Sequence, residues 1–97
     1  MIPAVLTPRR LTVTGHADYA PHGQDIVCAA VSALIYALVA ALEEKGLVAE
    51  VRIRSGFVTV AAQEGCEAEF ALVRCGLRQL SARYPQCVRV ERVMNNE

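Results

Sequence analysis

Apolar and polar residues recur along this chain in two periods. In "RLTVTG", Leu11 and Val13 alternate with Thr12 and Thr14, the two-residue period of a strand with one buried face, and Gly15 closes it. The preceding "IPAVLT" is apolar but contains Pro3, which has no ladder donor, so at best an edge strand is expected there. A loop with Pro21 and Gly23 spans His16 to Gln24. Asp25 then stands where an N-cap is wanted, and the apolar run behind it predicts a helix to about Lys45. Lys45 suits the last turn and Gly46 the stop.

The segment "VAEVRIRSGFVTVAA" predicts a hairpin. Val48, Val51 and Ile53 fall on the inward side and Glu50, Arg52 and Arg54 on the outward side, with a slip in the spacing at Ala49-Glu50. Ser55-Gly56 makes the turn into a second arm, Phe57 to Ala62. Phe70, Val73, Leu77, Leu80 and Tyr84 recur at helical spacing, so a second helix is expected over about Cys66 to Tyr84, ended by Pro85. "CVRVERV" is a last alternating strand. The order (β)β-α-ββ-α-β predicts an α+β fold, with both helices packed on one face of a mostly antiparallel sheet of four to five strands. Ninety-seven residues fit a single domain, 1–97.

Composition narrows the function classes. A hydrophobic fraction of 54% against 21% charged residues is that of a globular chain. Ten basic residues balance ten acidic ones, and the arginines are scattered, so no direct nucleic-acid binding is expected. The uncharged run Ile26 to Leu42 is long enough to raise the question of a membrane span. It is alanine-rich, holds Ser32 and Tyr36, and lies at the lower length limit, so burial in the chain's own core and no membrane contact are expected. The start, "MIPAVLTPRR", lacks the charge-then-apolar order of a signal peptide. Cysteines 28, 66, 75 and 87 form no CxxC, which favours reduced thiols and a cytoplasmic location.

The candidate chemistry lies between Gly15 and Ser32. His16 follows a strand end, and Cys28 would be the third residue of a helix capped by Asp25, among backbone N–H groups that favour a thiolate or an oxyanion. Asp25, three residues before Cys28, and Ser32, four after it, share its helix face. Asp25 orients His16 or caps the helix, and Ser32 bonds near the sulfur or back to the Cys28 carbonyl. A free cysteine in an apolar helix is more often an inert core residue. His22 is a second candidate base, but its place beside Pro21 in the loop gives it no rigid support. A metal site from His16, His22 and Cys28 would lack a fourth ligand and matches no closed-site spacing, and no cofactor is called for. Taken alone, the residues allow a cysteine nucleophile.

The stretch Gly15-His16-Ala17, then Gly23, then Asp25-Ile26-Val27-Cys28-Ala29 with Ser32, closely resembles the signature of the ribosomal-processing cysteine proteases of bacteria. The motif covers under a fifth of the chain, and the order of elements around it fits the same family. The resemblance implies Cys28 as nucleophile and His16 as general base, with Asp25, Ser32, Gly15 and Gly23 supporting them and the loop from Asp18 to Gln24 covering the site. It implies as substrate the N-terminal extension of a large-subunit ribosomal protein, and a homodimer. Pro3 interrupts a first strand that the family usually has cleaner. The alternative retains the residues without proteolysis, as a ribosome-associated binding module whose thiol is redox-sensitive or vestigial.

Overall fold

The computed structural model describes residues 1–15 and 22–93, with 22–25 described as helical backbone only. Its elements are β1 (Ile2–Leu6), β2 (Arg10–Thr14), α1 (His22–Lys45), β3 (Val48–Arg54), β4 (Phe57–Ala62), α2 (Glu67–Arg83) and β5 (Val88–Arg92). The strands form one five-stranded sheet in the order β3-β4-β2-β1-β5. Three of its pairings are antiparallel, and β1 with β5 is parallel.

Alternation along the strands decides which face the helices cover. Ile2, Ala4 and Leu6 of β1, Leu11 and Val13 of β2, Val60 and Ala62 of β4 and Val88 of β5 all point inward. Val27, Val31, Ile35, Leu38 and Leu42 of α1 and Phe70, Val73 and Leu77 of α2 meet them in one core. The opposite face is polar and open. There Arg10 Nη1 donates to Glu50 Oε1 at 3.1 Å and to Thr59 Oγ1 at 3.0 Å, and Arg52 Nε donates to Glu50 Oε2 at 2.7 Å. Such half-exposed pairs contribute about 0–1 kcal/mol each, so they order the face more than they stabilise it.

Two expectations change. First, β1 is an interior strand rather than an edge, because its backbone direction hides the missing donor of Pro3. Ile2 N–H donates to the Cys87 carbonyl on the β5 side at 2.7 Å. Pro3 therefore faces the β2 side, where pairing starts only at Ala4↔Val13. Second, α1 begins at His22 rather than after Asp25. Gly23 weakens a first turn without blocking it, and Pro21 disfavours helical geometry at residue 20, so the helix starts about as early as the sequence permits. The slip foreseen at Ala49-Glu50 is a β-bulge, with the register shifting between Val48 and Glu50.

α1 ends where Gly46 takes φ +69°. Gly46 N–H donates to Glu43 O and Leu47 N–H to Leu42 O, the paired bonds of a Schellman cap. By length and composition Ile26–Lys45 could cross a membrane, with a mean hydropathy of 2.3, yet its inward stripe is spent on the sheet. Its last residue clamps the two helices together. Lys45 Nζ donates to Gly65 O at 2.7 Å and to Glu69 Oε2 at 3.0 Å.

The end of β2 is tightly specified. Gly15 sits at φ +87°, and a Cβ there would lie 2.6 Å from the Met1 carbonyl oxygen. Its N–H donates to the Gly56 carbonyl in the β3–β4 turn at 3.0 Å.

Two outcomes follow from these contacts. Gly15→Ala combines a left-handed φ with a backbone clash and should lower unfolding free energy by about 1–3 kcal/mol, read as a shift in urea midpoint. The second concerns Lys45 and Glu69. Their hydrogen bond holds the Glu69 carboxyl below its ordinary value and the Lys45 ammonium above its own. A depressed carboxyl stabilises the fold above its unfolded pKa and ceases to as pH falls through the folded one. The raised ammonium stabilises below its unfolded pKa, and that contribution is lost as pH rises through the folded one. Glu69→Gln should therefore be slightly less stable than wild type near neutrality. The gap in melting temperature should close at both acidic and strongly alkaline pH.

Candidate active site

The second turn of α1 places Cys28 between two buried neighbours on the inward stripe, Val27 and Val31. A rotation of about 100° per residue puts Cys28 on the flank of the helix instead of beneath it. Its side chain is partly buried and opens into a pocket of about 260 Å³. Ser32 and Tyr36, one and two turns further on, line the same pocket from α1. The opposite wall is made by strand ends: Ile2 of β1, Val13 and Gly15 at the end of β2, and Phe57 and Val58 of β4. Ile53 and Arg54 at the end of β3 complete it.

Three of the residues singled out from the sequence are thereby brought together, namely Gly15, Cys28 and Ser32. His16 lies outside the described residues, as does the loop from Asp18 to Pro21. Chain continuity makes His16 the neighbour of Gly15, whose position in the pocket wall is fixed by its bond to Gly56. Gly23 and Asp25 are the second and fourth residues of α1.

The earlier start of α1 changes the chemistry expected of its N-terminus. Asp25 is inside the first turn and is not the N-cap. Cys28 is the seventh helical residue and not the third. The amides without a helical acceptor are those at the very start, His22 to about Gln24, one turn short of Cys28. Dipole stabilisation of a thiolate fades over that first turn, so less of the activation of Cys28 falls to the helix and more to a neighbouring base. His22, expected mid-loop, is instead the first residue of the helix. Ser32 is exposed, and the hydrogen bond back to the Cys28 carbonyl that its spacing permits does not form among the described residues.

The remaining thiols take no part. Cys66 and Cys87 are buried in the core and Cys75 is exposed on α2. Tyr36, Ile53 and Phe57 were not singled out by the sequence, where each looks like an ordinary apolar position of a helix or strand. The signal was present for one of them: Tyr36 is four residues beyond Ser32 and eight beyond Cys28, on the same flank.

This geometry can be set beside known proteins. The sequence profile described as cysteine protease Prp matches residues 6–89. The ribosomal processing cysteine protease Prp of Mycoplasma pneumoniae is 53% identical over 36 residues, a stretch covering 37% of this chain and 36% of that relative. Among solved structures, the essential ribosomal processing protease Prp from S. aureus in complex with a substrate peptide superposes with a TM-score of 0.83 at 19% identity. That likeness covers 96% of this chain and all of the other, and at such identity it speaks to the fold. A protein of Streptococcus mutans superposes with a TM-score of 0.81 at 26% identity, covering 98% of this chain and 96% of that one. The profile spans the motif, both helices and three strands entirely, and the fold recurs over nearly the whole chain; the chain belongs to the cysteine protease Prp family.

Proposed function

We propose that this chain is an endopeptidase of ribosome maturation that removes the N-terminal extension of a large-subunit ribosomal protein, with Cys28 as nucleophile and His16 as general base. The observation that carries the reading is the position of Cys28 on the flank of α1, opening into a pocket whose far wall holds Gly15, the residue before His16. A thiol under the helix would be inert. On the flank it is accessible to an extended peptide.

In this mechanism His16 takes the thiol proton, and Cys28 Sγ attacks the scissile carbonyl carbon to give a tetrahedral oxyanion. As the C–N bond breaks, the His16 imidazolium gives its proton to the leaving amine, and a thioester remains. His16 then takes a proton from water, which attacks the thioester, and Cys28 leaves as the thiol with a free carboxylate on the peptide. Asp25 and Ser32 support the pair on this reading, and a cytoplasmic location suits a chain whose nucleophile has to stay reduced.

The same proposal includes a homodimer, supported by the outer face of α1. Ile26 is 61% exposed there, and Ala29, Ala33 and Ala40 are exposed beside it, an apolar surface with no partner among the described residues.

Cys28→Ala and His16→Ala should each reduce cleavage of a peptide spanning the processing site to background, followed by product mass; full activity in either variant would remove that residue from the dyad. For the dimer, Ala33→Glu should convert a two-subunit species into a monomer in sedimentation velocity without loss of helix content. A variant that sediments as wild type would place the contact elsewhere.

A further inference from the structure

The side of the sheet that the helices leave bare gathers arginines that stand far apart in the sequence. Arg54 pairs with Phe57, Phe57 with Thr14 and Pro3 with Arg89, while the Ala4↔Val13 pair sets Pro3 beside Thr14. The strand neighbours Ile2, Val13, Val58 and Val88 belong to the core, so Pro3, Thr14, Phe57 and Arg89 point away from it. Arg54, directly opposite Phe57, shares its face. The row Arg54-Phe57-Thr14-Pro3-Arg89 crosses all five strands, four steps of about 4.8 Å, or about 19 Å. A guanidinium stands at each end, and no carboxylate lies between them.

Charge on the rest of this face has the same sign. Its strands turn Arg10, Arg52, Arg54 and Arg89 outward against Glu50 and Glu91, an excess of two positive charges on a chain whose net charge is zero. Glu50 is already bonded to both Arg10 and Arg52. Neither Arg54 nor Arg89 has a carboxylate within ion-pairing distance among the described residues. Arg54 instead holds its guanidinium 5.2 Å from the Phe57 ring centre. A cation over a ring at an exposed site is weakly held, so a flat base can take its place and leave Arg54 to a phosphate.

From this row we infer that the open face of the sheet binds single-stranded RNA, with a base stacked on Phe57 and phosphates on Arg54 and Arg89. The charge excess selects a polyanion, and the ring selects one that carries bases, since an acidic peptide gains nothing from Phe57. Thr14, next in the row, offers its hydroxyl to a ribose 2′-hydroxyl, which DNA lacks. Along the sequence the scatter of the arginines argues against nucleic acid; across the sheet the register reverses that. The inference uses neither member of the proposed dyad. Arg54 and Phe57 stand where this face meets the rim of the groove holding Cys28, and α1 lies on the other side of the sheet. Bound RNA is therefore beside Cys28 and not over it.

The test titrates a fluorescein-labelled ten-nucleotide oligo(A) RNA with the full chain and reads anisotropy over a series of salt concentrations. A Kd of about 1–100 µM is expected, with log Kd rising against log salt at a slope of about 1.4, two phosphates at about 0.7 each. Arg89→Gln, exposed on the edge strand β5, should bring the slope to about 0.7. Phe57→Leu should raise Kd at least about 5-fold and leave the slope unchanged, because stacking releases no counterion. Arg78→Gln makes the same charge change on the exposed side of α2 and should bind as wild type. Labelling of Cys28 by iodoacetamide should keep its rate when RNA is saturating.

No binding in that range overturns the inference outright. Equal losses in Arg78→Gln and Arg89→Gln would make binding a matter of charge anywhere on the chain, and the site falls. Wild-type affinity in Phe57→Leu, or a ten-residue polyglutamate peptide competing as well as the RNA, makes the face an acidic-peptide surface and overturns the assignment to RNA. Oligo(dA) of the same length should bind more weakly, and equal affinity overturns the choice of RNA over DNA. Protection of Cys28 from iodoacetamide would put the strand in the groove and overturn its placement. Should Phe57→Leu fail to fold, the slope of Arg89→Gln against Arg78→Gln decides.

Discussion

Around Cys28 the structure depends on a backbone constraint at the end of β2. Gly15 is held on one side by its amide bond to the Gly56 carbonyl and pressed on the other by the Met1 carbonyl, with no room for a side chain. That single contact joins three parts of the chain that are remote in sequence: the start of β1, the end of β2 and the turn between β3 and β4. It fixes where the chain leaves the sheet towards His16, and it aligns the strand ends that make the pocket wall. Without it, Cys28 would face a ragged sheet edge and the groove would have no floor at its reactive end.

Helix α1 carries the other half of the arrangement by dividing its circumference. One stripe, Val27, Val31, Ile35, Leu38 and Leu42, is consumed by the core. The adjacent flank, Cys28, Ser32 and Tyr36, lines the groove. The outward side is small and apolar, with Ala29, Ala33 and Ala40. This explains why a helix hydrophobic almost all round is compatible with a two-layer fold: each sector has its own surface to face, and among the described residues only the first is filled.

Most of the fold is legible in the sequence because its signals are local. The alternation in β2 and β4, the helical recurrence of Phe70, Val73 and Leu77, and the stop at Gly46 each depend on a few neighbouring residues. What escapes is non-local or a matter of direction. Pro3 rules out a central strand only if its missing donor faces a partner, and which way it faces is decided by the pairing with β5 some 85 residues away. The start of α1 is similarly ambiguous, since Asp25 has the chemistry of a cap whether or not the helix has already begun. At the site, Gly15, Cys28 and Ser32 come from one continuous motif and could be read together. Tyr36 and Ile53 could not, because their meeting is a product of how α1 crosses the strand ends.

The bulge in β3 has a consequence beyond its own register. β3 is an edge strand of seven residues, long enough to template a foreign strand. Ala49 interrupts its ladder, and Glu50, Arg52 and Arg54 alternate on its open side, with Glu50 already committed to Arg10 and Arg52. A chain approaching that edge would have to straighten the kink and strip water from a shared ion cluster before gaining a continuous run of ladder bonds. The irregularity thus acts as a guard against open-ended polymerisation, in a protein whose proposed work requires it to hold extended peptide close by.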